Sequence, residues 1–203
     1  MKGILTIILA VAVCNLVIGQ SVKTSKALKE IEGQYEVDDN GNVTYVKIIE
    51  IPNLTKDVLY TRAVDYFTYK YNNGESVIQV NDKENGHIVG KGLYQHTGQY
   101  FGYPASYDVD TWHILTVDVK DGKARVILSL TEYRVKTIYS DGDTRYDEGF
   151  VSKCYPLDPN GKLKNVYGRS FTGSHERAMA TFTELEKNLK EGLTFKGLDK
   201  KDW

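Results

Sequence analysis

WHILTVDVKDGKARVILSLT, residues 112–131, holds two runs of alternating apolar residues on either side of Asp121 and Gly122. A two-residue Asp-Gly connection suits a type I′ turn, whose twist matches the strands it joins. The turn sets the register: Lys120 faces Lys123, Val119 faces Ala124, Asp118 faces Arg125, Val117 faces Val126, and Leu115 faces Leu128. Because the side-chain period is two, Leu115, Val117, Val119, Ala124, Val126, Leu128 and Leu130 fall on one buried face. Thr116, Asp118, Arg125 and Ser129 take the other, where a cross-strand Asp118–Arg125 pair contributes about 0.2–1 kcal/mol.

Upstream, ESVIQVND (75–82) and GHIVGKGLYQ (86–95) read as two more strands joined through Lys83, Glu84 and Asn85. Gly90 and Gly92 share a face, and their missing side chains allow a helix to approach closely. Lys91 points the other way. Without a third glycine and a following helix, this pair is not a dinucleotide motif. Earlier still, the β-branched run VTYVKIIEI (43–51) reads as a strand between the turn cluster Asp38–Asn42 and Pro52. The spacing of Leu59, Ala63, Tyr66, Phe67 and Tyr71 predicts a helix over 55–71, with Thr55 as N-cap and Leu54 stapled on Leu59. Residues 20–32 are a polar tether or short helical lead-in.

Downstream, strand pattern continues through Tyr133, Val135 and Ile138. Residues 140–173 are rich in Gly, Asp, Pro and Asn and read mostly as loop, long enough to leave room for another hairpin. Ser174 reads as the cap of a helix with an Ala178, Phe182, Leu185 and Leu189 stripe that Gly192 ends.

Residues 1–19, MKGILTIILAVAVCNLVIG, have a charged Lys2, an apolar run from Ile4 to Ile18 and a small residue before Gln20. That is the anatomy of a cleavable signal peptide, too short for a spanning helix. The expected organisation is 1–19 signal peptide, 20–42 lead-in, 43–139 α+β domain, and 140–203 a loop-rich extension ending in helix 174–191. Export to the periplasm or cell envelope follows from this reading. Cleavage removes Cys14, leaving Cys154 as a lone thiol that reads as buried and inert. The whole chain carries 26 Lys and Arg against 27 Asp and Glu. It lacks the concentrated positive field that nucleic acid would require.

The segments YVKIIEIPNLTKDVLYTRAVDYF, VIQVNDKENGHIVGKG and LTVDVKDGKARVILS resemble, in order, an exported bacterial family, domain of unknown function number 4468, with a TBP-like fold. The resemblance covers residues 43–131. It implies a curved antiparallel sheet in the order β-α-β-β-β-β-α with the helices packed on one face. It brings no activity and no catalytic residue.

Candidate chemistry is sparse. His87, His96, His113 and His175 show no helical metal spacing, and Met179 stands where a second zinc histidine would follow His175 and Glu176. Ser170, in GRSFTG, misses the nucleophile-elbow spacing by one residue. Asp141, Asp143, Asp147 and Glu148 read as a solvated turn because Arg145 occupies a position where a calcium loop needs an oxygen. No cofactor or metal is expected. Two surfaces could hold a ligand or partner. One is the polar sheet face around Lys91, Thr116, Asp118 and Arg125. The other is a loop over 94–112 with Tyr94, Tyr100, Phe101, Tyr103, Tyr107 and Trp112. The functional expectation is a noncatalytic extracytoplasmic binding or assembly module whose partner is an envelope protein or glycan. The alternative is a hydrolase of envelope or dietary polymers, which needs His96, His113 and Asp118 to meet around a polar cleft. Nucleic-acid binding rests on fold analogy alone.

Overall fold

The computed structural model describes residues 22–70 and 77–192. The signal segment, Tyr71 and the start of the 75–82 strand lie outside the described residues.

Helix α1 spans residues 22–30. It is followed by β1 (Glu36–Val37), β2 (Val43–Glu50), α2 (Lys56–Lys70), β3 (Val77–Asp82), β4 (His87–Tyr100), β5 (Ala105–Lys120), β6 (Lys123–Tyr139), β7 (Thr144–Phe150) and α3 (Lys164–Glu191). The strands form one antiparallel sheet in the order β1-β2-β6-β5-β4-β3. The first half of β6 pairs with β2 and its second half with β7.

The 112–131 hairpin has the register its turn dictates, from Lys120 opposite Lys123 to Leu115 opposite Leu128. Gly122 sits at φ 76°, where a side chain would be strained. All seven apolar positions assigned to the inner face are buried. Helix α2 brings Leu59, Ala63, Tyr66 and Phe67 onto that face. Its first turn is capped twice: Thr55 Oγ1 accepts from Val58 N at 3.5 Å, and Asp121 of the hairpin turn accepts from Lys56 N at 2.7 Å. A Cβ on Gly90 would lie 2.6 Å from the Phe67 ring, so the glycine does admit the helix. Cys154 is buried.

Three sequence expectations are corrected. The stretch 94–112 is not a loop. Strand β4 runs to Tyr100 and β5 starts at Ala105, so only residues 101–104 connect them. The last ten residues of 140–173 are helical, and its first part forms β7 against β6, which fills the room left for a hairpin. Finally, α3 begins at Lys164, ten residues before Ser174. Ser174 is fully buried mid-helix, and its Oγ donates to Ser170 O at 2.6 Å.

One cause underlies these corrections: small residues taken for breakers are contact points. A Cβ on Gly98 would lie 2.3 Å from Ser170 Oγ, and one on Gly173 would lie 2.0 Å from Thr97 O. Helix and strand therefore approach each other backbone to backbone. The layer between them is closed by hydroxyls, with Thr97 Oγ1 2.8 Å from Thr111 Oγ1 and Thr111 Oγ1 2.8 Å from Ser174 Oγ.

Candidate functional site

Helices α2 and α3 both lie on the face that carries the odd-numbered side chains of β5, where every residue from Val109 to Val119 at that parity is buried. The even-numbered side chains of β5 therefore point to the opposite face. Among the described residues no helix covers it.

The registers place that open face in rows running across the strands. One row is Ile48, Arg125, Asp118, His87 and Asp82; the next is Val46, Ile127, Thr116, Val89 and Val80. Thr44, Ser129, Ile114 and Lys91 follow, then Glu132, Trp112 and Leu93, then Glu148, Arg134 and Asp110, then Tyr146, Lys136, Asp108 and Gln99. Val46 and Ile48 are 56% and 61% exposed, an unusual state for β-branched aliphatics inside a sheet.

Two charged clusters lie near opposite ends of this face. In the first, Asp118 takes the guanidinium of Arg125 at 2.7 and 2.9 Å and the His87 ring at 2.6 Å. Partial burial pushes the Asp118 carboxyl up, but the hydrogen bonds from His87 and Arg125 outweigh it and hold the group below the ordinary carboxylate range. In the second, His96 occupies a bulge of β4 with φ 54°. Its ring Nδ1 lies 2.8 and 2.9 Å from the two Asp108 oxygens, and its backbone N–H donates to Asp110 Oδ1 at 2.9 Å. The hydrogen bond to Asp108 raises the His96 pKa above its ordinary value. Arg134 holds the other oxygen of Asp110 at 2.9 and 3.2 Å. Between the clusters, Lys91 Nζ sits 4.6 Å from the Trp112 ring centroid, with the Arg134 guanidinium 5.8 Å away.

Of the residues singled out in the sequence, Lys91, Trp112, Asp118 and Arg125 share the open face. Tyr94, Tyr100 and Tyr107 turn to the helix side, where Tyr94 donates to or accepts from Thr181 at 2.6 Å and Tyr100 packs near Tyr107. Phe101 and Tyr103, 80% and 88% exposed, stand at the tip of the β4–β5 hairpin. The aromatic residues of 94–112 thus belong to three different places. Of the trio a hydrolase would need, His113 lies on the helix side, fully buried and stacked on Tyr94 at 3.9 Å, and burial depresses its pKa to about 3. Asp118 lies eight residues along β5 from Asp110, roughly 26 Å, so the three groups do not meet. Ser170 is buried with its Oγ donating to Val166 O at 2.9 Å, which leaves no nucleophile there. His175 is buried against the Tyr45 hydroxyl. Asp143 pairs with Arg145 and with the amide of Thr144 in the β6–β7 turn.

Sequence reasoning missed the His96, Asp108, Asp110 and Arg134 cluster because His96, Asp108 and Asp110 fell in the supposed loop. The available signal was the alternation Asp108, Val109, Asp110, Thr111, which places both carboxylates on one face of a strand.

The same strands carry the likeness to known proteins. No curated protein matches the chain. Two solved structures are similar to it: a DUF4468 family protein from Bacteroides ovatus (15% identity, 76% of this chain and 91% of that one, TM-score 0.48) and a TBP-like protein from Parabacteroides distasonis (12% identity, 75% and 97%, TM-score 0.52), of which the second shares its fold. At such identities the likeness is one of fold. The model of a family described as a domain of unknown function (DUF4468) with TBP-like fold matches residues 45–134, from β2 through most of β6. Over those residues the chain is similar to that family, and the matched part is an antiparallel sheet with helix α2 on one side.

Proposed function

We propose that this chain is a noncatalytic binding or assembly module, exported by its N-terminal segment, that holds an envelope protein or glycan on the open face of the sheet. The observation that carries this reading is the one-sided sheet. Both long helices pack on one face, and the other keeps exposed Val46, Ile48 and Val80 beside ordered ion pairs and a cation-flanked Trp112. A merely solvated face needs no exposed aliphatics. Threonine would satisfy the strand equally and keep the surface wet. The charges alternate in sign, Arg125 beside Asp118 and Arg134 beside Asp110, which favours a partner of mixed polarity over a phosphate backbone.

The test is retention of native envelope components on the immobilised mature chain. Replacing Val46, Ile48 and Val80 together by Thr should abolish retention of whatever the wild type holds. Val58→Thr on α2 should not. Equal retention by both variants overturns the assignment of this face. The mature protein recovered from the native cell should begin at Gln20; an intact amino terminus in the cytoplasm refutes export.

A further inference from the structure

We propose that His96, Asp108 and Asp110 form a binding site for a divalent first-row transition cation, Zn²⁺ foremost. Each residue offers one ligand atom, and these atoms lie within 4.8 Å of one another. Two ligands held at cis positions about 2.05 Å from a metal are about 2.9 Å apart, and at tetrahedral angles about 3.3 Å. The His96 Nδ1 to Asp108 oxygen separations of 2.8 and 2.9 Å match the first of these edges. A small movement of the exposed ring opens them to the second.

The imidazole distinguishes this group from the acidic β6–β7 turn. A mixed nitrogen and oxygen donor set selects zinc and its neighbours over calcium or magnesium, which take oxygen alone. The strands place all three donors. Asp108 and Asp110 are two apart on β5 and so share a face, while the β4 bulge carries His96 over them. Asp110 is held at both oxygens, by Arg134 at Oδ2 and by the His96 backbone N–H at Oδ1, so a cation would take a remaining lone pair of an already oriented carboxylate. On binding, the cation replaces the proton shared between the ring and Asp108, and that proton leaves to solvent. Three protein ligands leave further coordination positions open toward solvent on the side proposed to receive a partner. The cation site does not depend on that partner.

The same face supplies an internal control. His87 pairs with Asp118 at 2.6 Å, but among the described residues no second carboxylate joins them in a three-ligand group. Metal-stripped mature chain is titrated with ZnCl₂ by calorimetry, with the histidine ring resonances followed in parallel. One equivalent should bind and shift the His96 resonances. His96→Asn, chosen because Asn tolerates the left-handed backbone there, should weaken binding at least tenfold, as should Asp110→Asn. His87→Asn should stay within twofold of the wild type. Unchanged melting of His96→Asn, an exposed position, separates a lost ligand from a lost fold. No saturable binding, wild-type affinity in His96→Asn, or an equal loss in His87→Asn overturns the site.

Discussion

Replacing Gly173 by Ala tests whether α3 really meets β4 backbone to backbone. In an isolated helix this change is favourable by about 0.8–1 kcal/mol, since Ala is the best helix former and Gly among the worst. In the folded protein the new methyl would lie 2.0 Å from Thr97 O and 3.0 Å from Thr97 C, and both are backbone atoms with no rotamer to yield. Restoring an ordinary carbon–oxygen contact requires the helix to retreat by more than about 1 Å, the kind of overpacking that costs about 1–3 kcal/mol. The same retreat stretches the 2.8 Å bond between Thr111 and Ser174 past any hydrogen bond, a further loss of about 1 kcal/mol. The clash wins, with a net destabilisation of about 1–3 kcal/mol and a fall in Tm of roughly 3–10 °C for a chain of this size. Gly168→Ala is the control. Its methyl would meet Thr24 Cγ2 at 2.7 Å, a side-chain atom of helix α1 rather than backbone. Thermal and urea unfolding of both variants decides the matter. A Gly173→Ala protein as stable as the wild type or more so, or one less affected than Gly168→Ala, refutes the close approach.

The remaining expectations concern the core, the acid limb and the surface. Gly90→Ala should cost about 1–2 kcal/mol by displacing the Phe67 ring, and markedly less in a Phe67→Leu background, which a double-mutant cycle measures. His113 is buried neutral with its pKa depressed to about 3, below its unfolded value near 6.5. Its contribution is therefore present above pH 6.5 and lost as pH falls from there toward 3, on the order of 5 kcal/mol at the extreme. Urea midpoints should drop across that window while the His113 ring stays unprotonated in the folded state, and a ring titrating near 6.5 in the intact fold contradicts it. Arg62 donates to Leu189 O and Lys190 O, both at 2.7 Å, closing the carbonyl end of α3, so Arg62→Met should cost about 1–2 kcal/mol by chemical denaturation. The Asp118–Arg125 pair lies on the surface, and its coupling energy should be below about 1 kcal/mol and shrink in added salt.

The hairpin around Asp121 and Gly122 was legible because turn chemistry and a period-two pattern specify the same register, and every pairing from Lys120–Lys123 to Leu115–Leu128 follows from them. Helix α2 was legible because its apolar spacing and its cap agree. The N-terminal half of α3 was not. Gly168, Ser170, Gly173 and Ser174 carry turn-forming propensity, and only the contact with β4 explains why a helix tolerates them. The candidate face was half legible: Lys91, Asp118 and Arg125 followed from alternation. The His96 cluster depends on a bulge, and an inserted residue at positive φ breaks the very alternation by which a face is read.

The same small residues also decide where a site can lie. With Gly98 against Ser170, Gly173 against Thr97 and Gly90 under Phe67, the helices are held close to one face, where Thr97, Thr111 and Ser174 pair their hydroxyls and His113 stacks on Tyr94. On the proposed reading, recognition falls to the other side, where side chains stand on strands rather than on loops and are therefore held in fixed rows. The ion pairs there serve two ends at once. They keep a broad, helix-free sheet surface from becoming a sticky apolar plane, and they fix the orientation of Trp112, His87 and His96 between them. On that reading a partner meets exposed aliphatics set among charges already neutralised in place. Binding would then bury Val46, Ile48 and Val80 without first stripping water from those paired ions, and that makes the exposed aliphatics, not the charges, the place where substitution should cost most affinity.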